Sequence, residues 1–177
     1  CTDLKLITGG SGVALGLPEN FRRAGQLKTE TIADQLPPVP GPGAVLSGSC
    51  SEATLAQVAA MQKSRPSFQL DPMALAGDSD QAGEALEWAL AQLSDGPPLI
   101  YASAPAGDVR AAQDKLGRAE AGELVEAAMA RIAKGLVENG VRRLVVAGGE
   151  TSGAVVQALG VEGIRIGPQI DPGVPWT

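Results

Sequence analysis

Residues Val145–Gly153 read Val-Val-Ala-Gly-Gly-Glu-Thr-Ser-Gly, the stretch of this chain best suited to holding a ligand. The apolar run Leu144–Ala147 has the composition of a strand. It meets the pair Gly148-Gly149, which can take φ > 0 and let a ligand approach the backbone closely. Thr151 and Ser152 then fit the start of a helix, either one as its N-cap. A helix start offers unpaired N–H groups and the positive end of a dipole, which suit an anion such as phosphate. Glu150 and the hydroxyls of Thr151 and Ser152 can serve a ribose, a water on Mg2+ or a phosphate oxygen. A plain β-to-α turn has the same pattern, so this stretch alone does not decide between site and scaffold.

A second turn of the same kind favours the site. Ala44–Leu46 is apolar and runs into Ser47-Gly48-Ser49-Cys50-Ser51, followed by the helical stretch Glu52–Lys63. Ser49 or Ser51 can cap that helix. In a parallel sheet the C-terminal ends of the strands share one edge, where open α/β folds bind ligands. Gly48, Ser49, Ser51, Gly148, Gly149, Glu150, Thr151 and Ser152 are therefore the candidate residues for holding one phosphorylated ligand, while catalytic and metal-ligating residues are left unassigned. Cys50 stands at a helix start, which lowers a thiol pKa. With no histidine in the chain to act as its base, a small residue placed for tight packing is the better expectation.

Other motifs are weaker. Gly10-Ser11-Gly12-Val13-Ala14-Leu15-Gly16 has the look of a dinucleotide turn, with Glu30 near the acidic position. Pro18 interrupts the helix that such a turn requires, so a dinucleotide-binding oxidoreductase is kept only as an alternative. A non-catalytic ligand-binding domain is the other alternative. Neither GxxxxGK[ST] nor GxSxG occurs.

Composition narrows the classes further. The 177 residues carry a net charge of −6, and aromatics make up 3%. Without a Lys/Arg cluster or aromatic platforms, a nucleic-acid partner is not expected. Lack of histidine removes the usual Ser-His-Asp and Cys-His catalysis and most zinc sites. Two cysteines are too few for a disulfide framework, and no apolar stretch is long enough to span a bilayer. The expected setting is cytoplasmic, with no membrane partner. A homo-oligomer is left open.

The elements that must position the two turns alternate along the chain. Strands are expected at Leu4–Thr8, Gly43–Gly48, Ser67–Leu70, Leu99–Ser103, Arg143–Ala147 and Gly163–Ile166. Helices are expected at Glu52–Lys63, Asp80–Leu93, Ala119–Asn139 and Ser152–Leu159, with Val13–Arg23 partly helical. Gln35–Gly43, with four prolines and two glycines, reads as an extended linker, and Ala104–Gln113 as an irregular loop. Ile166–Pro175 reads as an ordered loop over the sheet edge, with Asp171 closing a turn or facing the site. This alternation predicts an α/β fold: a three-layer domain with a parallel or mostly parallel sheet covered by helices on both faces.

Three stretches together resemble the C-terminal domain of the four-carbon acid sugar kinase family (3-oxo-tetronate and related kinases). They are Val146–Val155 with Ile166–Pro175, Leu46–Ser51 with Thr54 and Gln57, and Ile7–Gly12 with Leu15-Gly16-Leu17. The resemblance covers nearly the whole chain in order. It implies a single nucleotide-binding domain, residues 1–177, excised from a longer two-domain kinase whose N-terminal domain holds the sugar-acid site. It further implies ATP with Mg2+, contacts at Ser49 and its neighbours and at Gly148–Thr151, and a catalytic base outside this chain. A further glycine-containing segment that touches the nucleotide in this family would lie past Thr177.

Overall fold

The computed structural model describes residues 6–9, 11–28, 35–104 and 114–177. They form two compact units, one built from Val39–Glu162 and the other from the residues on either side of it.

The larger unit contains a four-stranded parallel sheet. Its strands are β1 (Gly43–Ser47), β2 (Ser67–Gln69), β3 (Leu99–Tyr101) and β4 (Arg143–Ala147), in the order β2-β3-β1-β4. Register pairs Ser47 with both Tyr101 and Ala147, and Tyr101 with Gln69, so all four strands end level at one edge. The helices are α2 (Glu52–Gln62), α3 (Pro72–Leu75), α4 (Gln81–Gln92), α5 (Arg118–Glu138) and α6 (Gly149–Ala158). The crossover from β1 to β2 runs in the opposite direction to those from β2 to β3 and from β3 to β4. Right-handed crossovers then place α2 on one face and α4 and α5 on the other. Helix α6 packs on α5, which completes the three-layer α/β architecture.

The core lies between the sheet and the α4–α5–α6 layer. Leu46, Ile100, Met129, Ile132 and Leu136 are fully buried in it. The stripe Ala128, Ile132, Leu136 of α5 faces inward as helical spacing requires, while Leu124 is half-buried. On α4 the small residues Ala82, Ala85 and Ala89 are buried, and Leu86, Leu90 and, at the C-cap, Leu93 pack around the core half-buried. On α2 Val58 is buried, Leu55 and Met61 are half-buried, and Ala59 faces outward. Gly140, at φ 93°, takes the left-handed position that closes α5.

Asp80 fastens α4 to α5. Its carboxylate caps α4 by accepting from Gly83 N–H at 3.1 Å and pairs with the Arg131 guanidinium, one contact being 2.9 Å. The hydrogen bond from Arg131, aided by Gly83 N–H, holds the carboxyl below its ordinary value. Because the folded value is the lower one, this contribution is present above the ordinary carboxylate range and is lost as pH falls through the depressed value. Asp80→Asn keeps a cap acceptor but removes the ion pair. The variant should show a flatter acid limb in denaturant unfolding measured between neutral and acid pH.

In the smaller unit a 3-10 helix, Ser11–Gly16, leads into α1 (Leu17–Arg23). Pro18 sits in the first turn of α1, where its missing N–H costs nothing. The chain closes with a hairpin, β5 (Gln169–Asp171) and β6 (Val174–Pro175), turned at Pro172-Gly173 with Gly173 at φ 81°. Pro followed by a positive-φ glycine is the chemistry of a type II turn.

Three expectations need correction. Gly163–Ile166 is not a strand, since Ile164 and Ile166 are both exposed and no strand pairs with them among the described residues. The Pro-Gly turn instead makes Ile166–Pro175 mostly hairpin, with Asp171 at its turn. Of the expected strand Leu4–Thr8, residues 6–8 are in no strand and the remainder lies outside the described residues, as does most of the loop 104–113. The dinucleotide pattern at 10–16 therefore lacks its strand–turn–helix setting: Gly10 is outside the described residues, and 11–16 form a 3-10 helix.

Candidate nucleotide site

Strands β1 and β4 are neighbours, but the helices that follow them leave for opposite faces. Their C-terminal ends therefore flank a crevice at a topological switch point, where open α/β sheets bind ligands. The crevice opens into a cavity of about 780 Å3.

The first wall is the β1–α2 turn. Gly48 N–H and Ser49 N–H both donate to the Ala147 carbonyl, at 2.9 and 3.2 Å, so this turn is tied to the end of β4. Beneath it the buried hydroxyls of Ser47 and Ser103 lie 2.8 Å apart, joining the exits of β1 and β3. Ser51 caps α2 by accepting from Thr54 N–H at 3.1 Å. A Cβ on Gly48 would run into the Thr151 hydroxyl. Glycine is thus needed here because the first turn of α6 packs directly against the backbone.

The second wall is the start of α6. Gly148 is its N-cap at φ 126°, and no side chain caps the helix among the described residues. The Ser152 N–H is the first to bond back, to Gly148 O at 2.8 Å. Gly149, Glu150 and Thr151 thus present the N–H groups that a helix start leaves without intrahelical partners. All three residues line the cavity, together with Gly148.

The helix starts three residues earlier than its sequence suggests, so neither Thr151 nor Ser152 is the N-cap. Thr151 is 4% exposed, packed under Gly48, and Ser152 is half-buried off the cavity wall. Gly149 has an ordinary helical backbone, and a Cβ there would meet nothing within 4 Å. Of the pair, only Gly148 needs positive φ.

Gly48, Ser49, Gly148, Gly149, Glu150 and Thr151 of the expected residues come together around the cavity, while Ser51 and Ser152 stand behind it. Cys50 is exposed at the cavity rather than packed away. Sequence reasoning missed the remaining walls. Leu70, Asp71 and Pro72 come from the end of β2 and the start of α3, and Gly122, Val125 and Glu126 from α5. Among the described residues that line the cavity, Lys115 is the one cation. The cavity therefore has an apolar side, centred on Leu70 and Val125, and a side rich in backbone donors.

A family model described as a nucleotide-binding C-terminal domain matches residues 44–177. The chain belongs to this family. The matched region contains the whole cavity and both glycine turns. The domain is 56% identical over 177 residues to the 3-oxo-tetronate kinase of Burkholderia multivorans and 54% over 178 residues to that of Cupriavidus necator. Each match takes in all of this chain but 41% of the relative, so the chain spans well under half of their length. The fold matches a crystal structure of a Haemophilus influenzae protein with a TM-score of 0.81 at 39% identity, over 99% of this chain and 42% of that one. A Salmonella typhimurium LT2 protein gives 0.82 at 40% identity, over 99% and 41%. Among the described residues of the domain, no helix is long and apolar enough to cross a membrane.

Proposed function

We propose that this domain is the ATP-binding part of a cytoplasmic kinase that phosphorylates small, four-carbon sugar acids. The observation that carries the reading is the start of α6. A helix N-terminus with no side-chain cap, preceded by a positive-φ glycine, opens into a cavity within a nucleotide-binding family. The N–H groups of Gly149–Thr151 and the Ser49 hydroxyl suit the phosphates, with Lys115 as a countercharge. Leu70, Pro72 and Val125 offer an apolar surface to the base.

Mg2+ would neutralise the phosphate charge during transfer. Among the described residues no group of three or more His, Cys, Asp or Glu could hold a metal ion. Mg2+ bound with a nucleotide needs only one or two carboxylates besides phosphate and water. Glu150 and Asp71, both at the cavity, fit that donor set. Phosphoryl transfer asks the protein mainly for positioning and charge stabilisation, which the two turns would supply. The sugar acid, the catalytic base and the domain that carries them lie outside this chain in the proposal.

Two results should follow. Calorimetric titration of the full-length enzyme should show ATP binding with Mg2+ present and no binding of NAD; the reverse would favour a dinucleotide enzyme, and neither would favour a non-catalytic domain. The 177-residue chain alone should transfer no phosphate to any tetronate or threonate derivative, whereas the full-length enzyme should. Turnover by the isolated chain would place the substrate site within it and contradict the proposal.

A further inference from the structure

Three hydroxyls stand in a row at the β1–α2 turn, and the contacts between them order their hydrogen bonds. Thr54 Oγ1 donates to Ser49 Oγ at 3.1 Å. A hydroxyl has one hydrogen, so in the 2.9 Å contact between Thr54 Oγ1 and Ser51 Oγ the donor must be Ser51. Ser51 Oγ in turn accepts from Thr54 N–H at 3.1 Å. Ser49 Oγ receives a second hydrogen bond from Ser51 N–H at 3.3 Å. Both acceptor positions of Ser49 are therefore occupied, and among the described residues nothing accepts its own hydrogen. Ser49 lines the cavity, and Thr54 behind it is 8% exposed.

We infer that Thr54 is a positioning residue that presents the Ser49 hydroxyl to the cavity as a hydrogen-bond donor, matched to an anionic phosphate oxygen of the nucleotide. The inference rests on the cavity being the nucleotide site. Each hydroxyl in such a chain polarises the next. With its lone pairs filled, Ser49 favours an acceptor and disfavours a group that can only donate, such as an ammonium. A charged phosphate oxygen is the strongest acceptor a nucleotide offers, so the phosphates are the part of the ligand best matched to this turn.

Thr54→Val tests this in the full-length enzyme. The change keeps the β-branched shape and leaves the helix cap in place, because Ser51 is bound by the backbone N–H of residue 54. Thermal melts should stay close to wild type. Affinity for ATP should fall about tenfold, the share of one hydrogen bond to a charged group. Adenosine affinity, measured by competition, should stay within about twofold, since adenosine lacks the phosphates this donor addresses. KM for ATP should rise with kcat retained at saturation, and Thr54→Ser should restore the affinity. Ser49→Ala should lose as much ATP affinity as Thr54→Val, and the double variant no more than either. Unchanged ATP affinity in Thr54→Val, an equal loss for adenosine, or no rescue by serine would overturn the relay while leaving the nucleotide site standing. A wild-type enzyme that binds no ATP would overturn both.

Discussion

Gly149→Val should abolish ATP binding by the full-length enzyme and leave its melting temperature unchanged. At this first position of α6 a Cβ meets no protein atom within 4 Å, and the backbone is helical. Valine is no worse than glycine in a helix interior, so the fold loses nothing. The two methyls would instead occupy the space in front of the free N–H groups. Displacing a phosphate from several charge-assisted bonds should cost ~2–4 kcal/mol of binding, each such bond being worth about 1.5–3 kcal/mol. That is a loss of roughly 30-fold or more. A turn that served only as scaffold would give unaltered affinity. Glu150→Ala is the companion variant: its exposed side chain at the cavity should matter little to melting, because surface substitutions away from packed features seldom do.

Gly135→Val should do the opposite, destabilising the fold without touching the site. Gly135 is buried in α5 where α4 crosses it, and a Cβ there would collide with the end of Leu86. Overpacking of this kind costs about 1–3 kcal/mol. In a chain of this size each lost kcal/mol lowers Tm by roughly 2–4 °C. Gly135→Ala should be much milder, since the gain in helix propensity of about 1 kcal/mol offsets a contact that a flexible leucine tip can relieve. Leu86→Ala combined with Gly135→Val should recover much of the loss. Thermal melts of the three variants beside wild type check this, and a Gly135→Val protein as stable as wild type would show that the two helices do not meet as described.

Much of the framework was legible because its signals are local. Arg143–Ala147 holds the apolar run Leu144–Ala147 between a glycine cap and a glycine pair, and it is a strand over the expected residues. Helix α5 shows helical spacing over its whole length and ends at Asn139-Gly140. Where the signal was weak, the structure differs. Helix α3 has four residues, too few to show a period. The sequence puts the start of α6 late because Gly148-Gly149 reads as a turn, yet only Gly148 leaves the helical region. Gly163–Ile166 has strand-forming residues, but β structure needs a partner, and the hairpin formed further on, where Pro172-Gly173 supplies the turn.

The site was half legible for the same reason. Both glycine turns are contiguous in sequence and could be read directly, whereas their adjacency required a parallel sheet with β1 beside β4. The opposite walls could not be read, because Leu70, Val125 and Lys115 reach the cavity only through tertiary packing. Nothing local separates Val125 from the other apolar residues of α5, and its two glycines, Gly122 and Gly135, do not mark a wall either. The hydroxyl relay was equally hidden. Ser49, Ser51 and Thr54 have the spacing of an ordinary cap, and the direction of their hydrogen bonds follows from geometry alone.

The central claim is that a nucleotide lies in the cavity between the two turns with its phosphates on the start of α6. A crystal structure of the full-length enzyme with Mg2+ and a non-hydrolysable ATP analogue tests it most directly. The account predicts phosphate oxygens within hydrogen-bond distance of the backbone N–H groups of Gly149–Thr151 and of the Ser49 hydroxyl, with the base toward Leu70 and Val125. An analogue bound instead at the 11–16 segment, or with its phosphates turned away from α6, would contradict it.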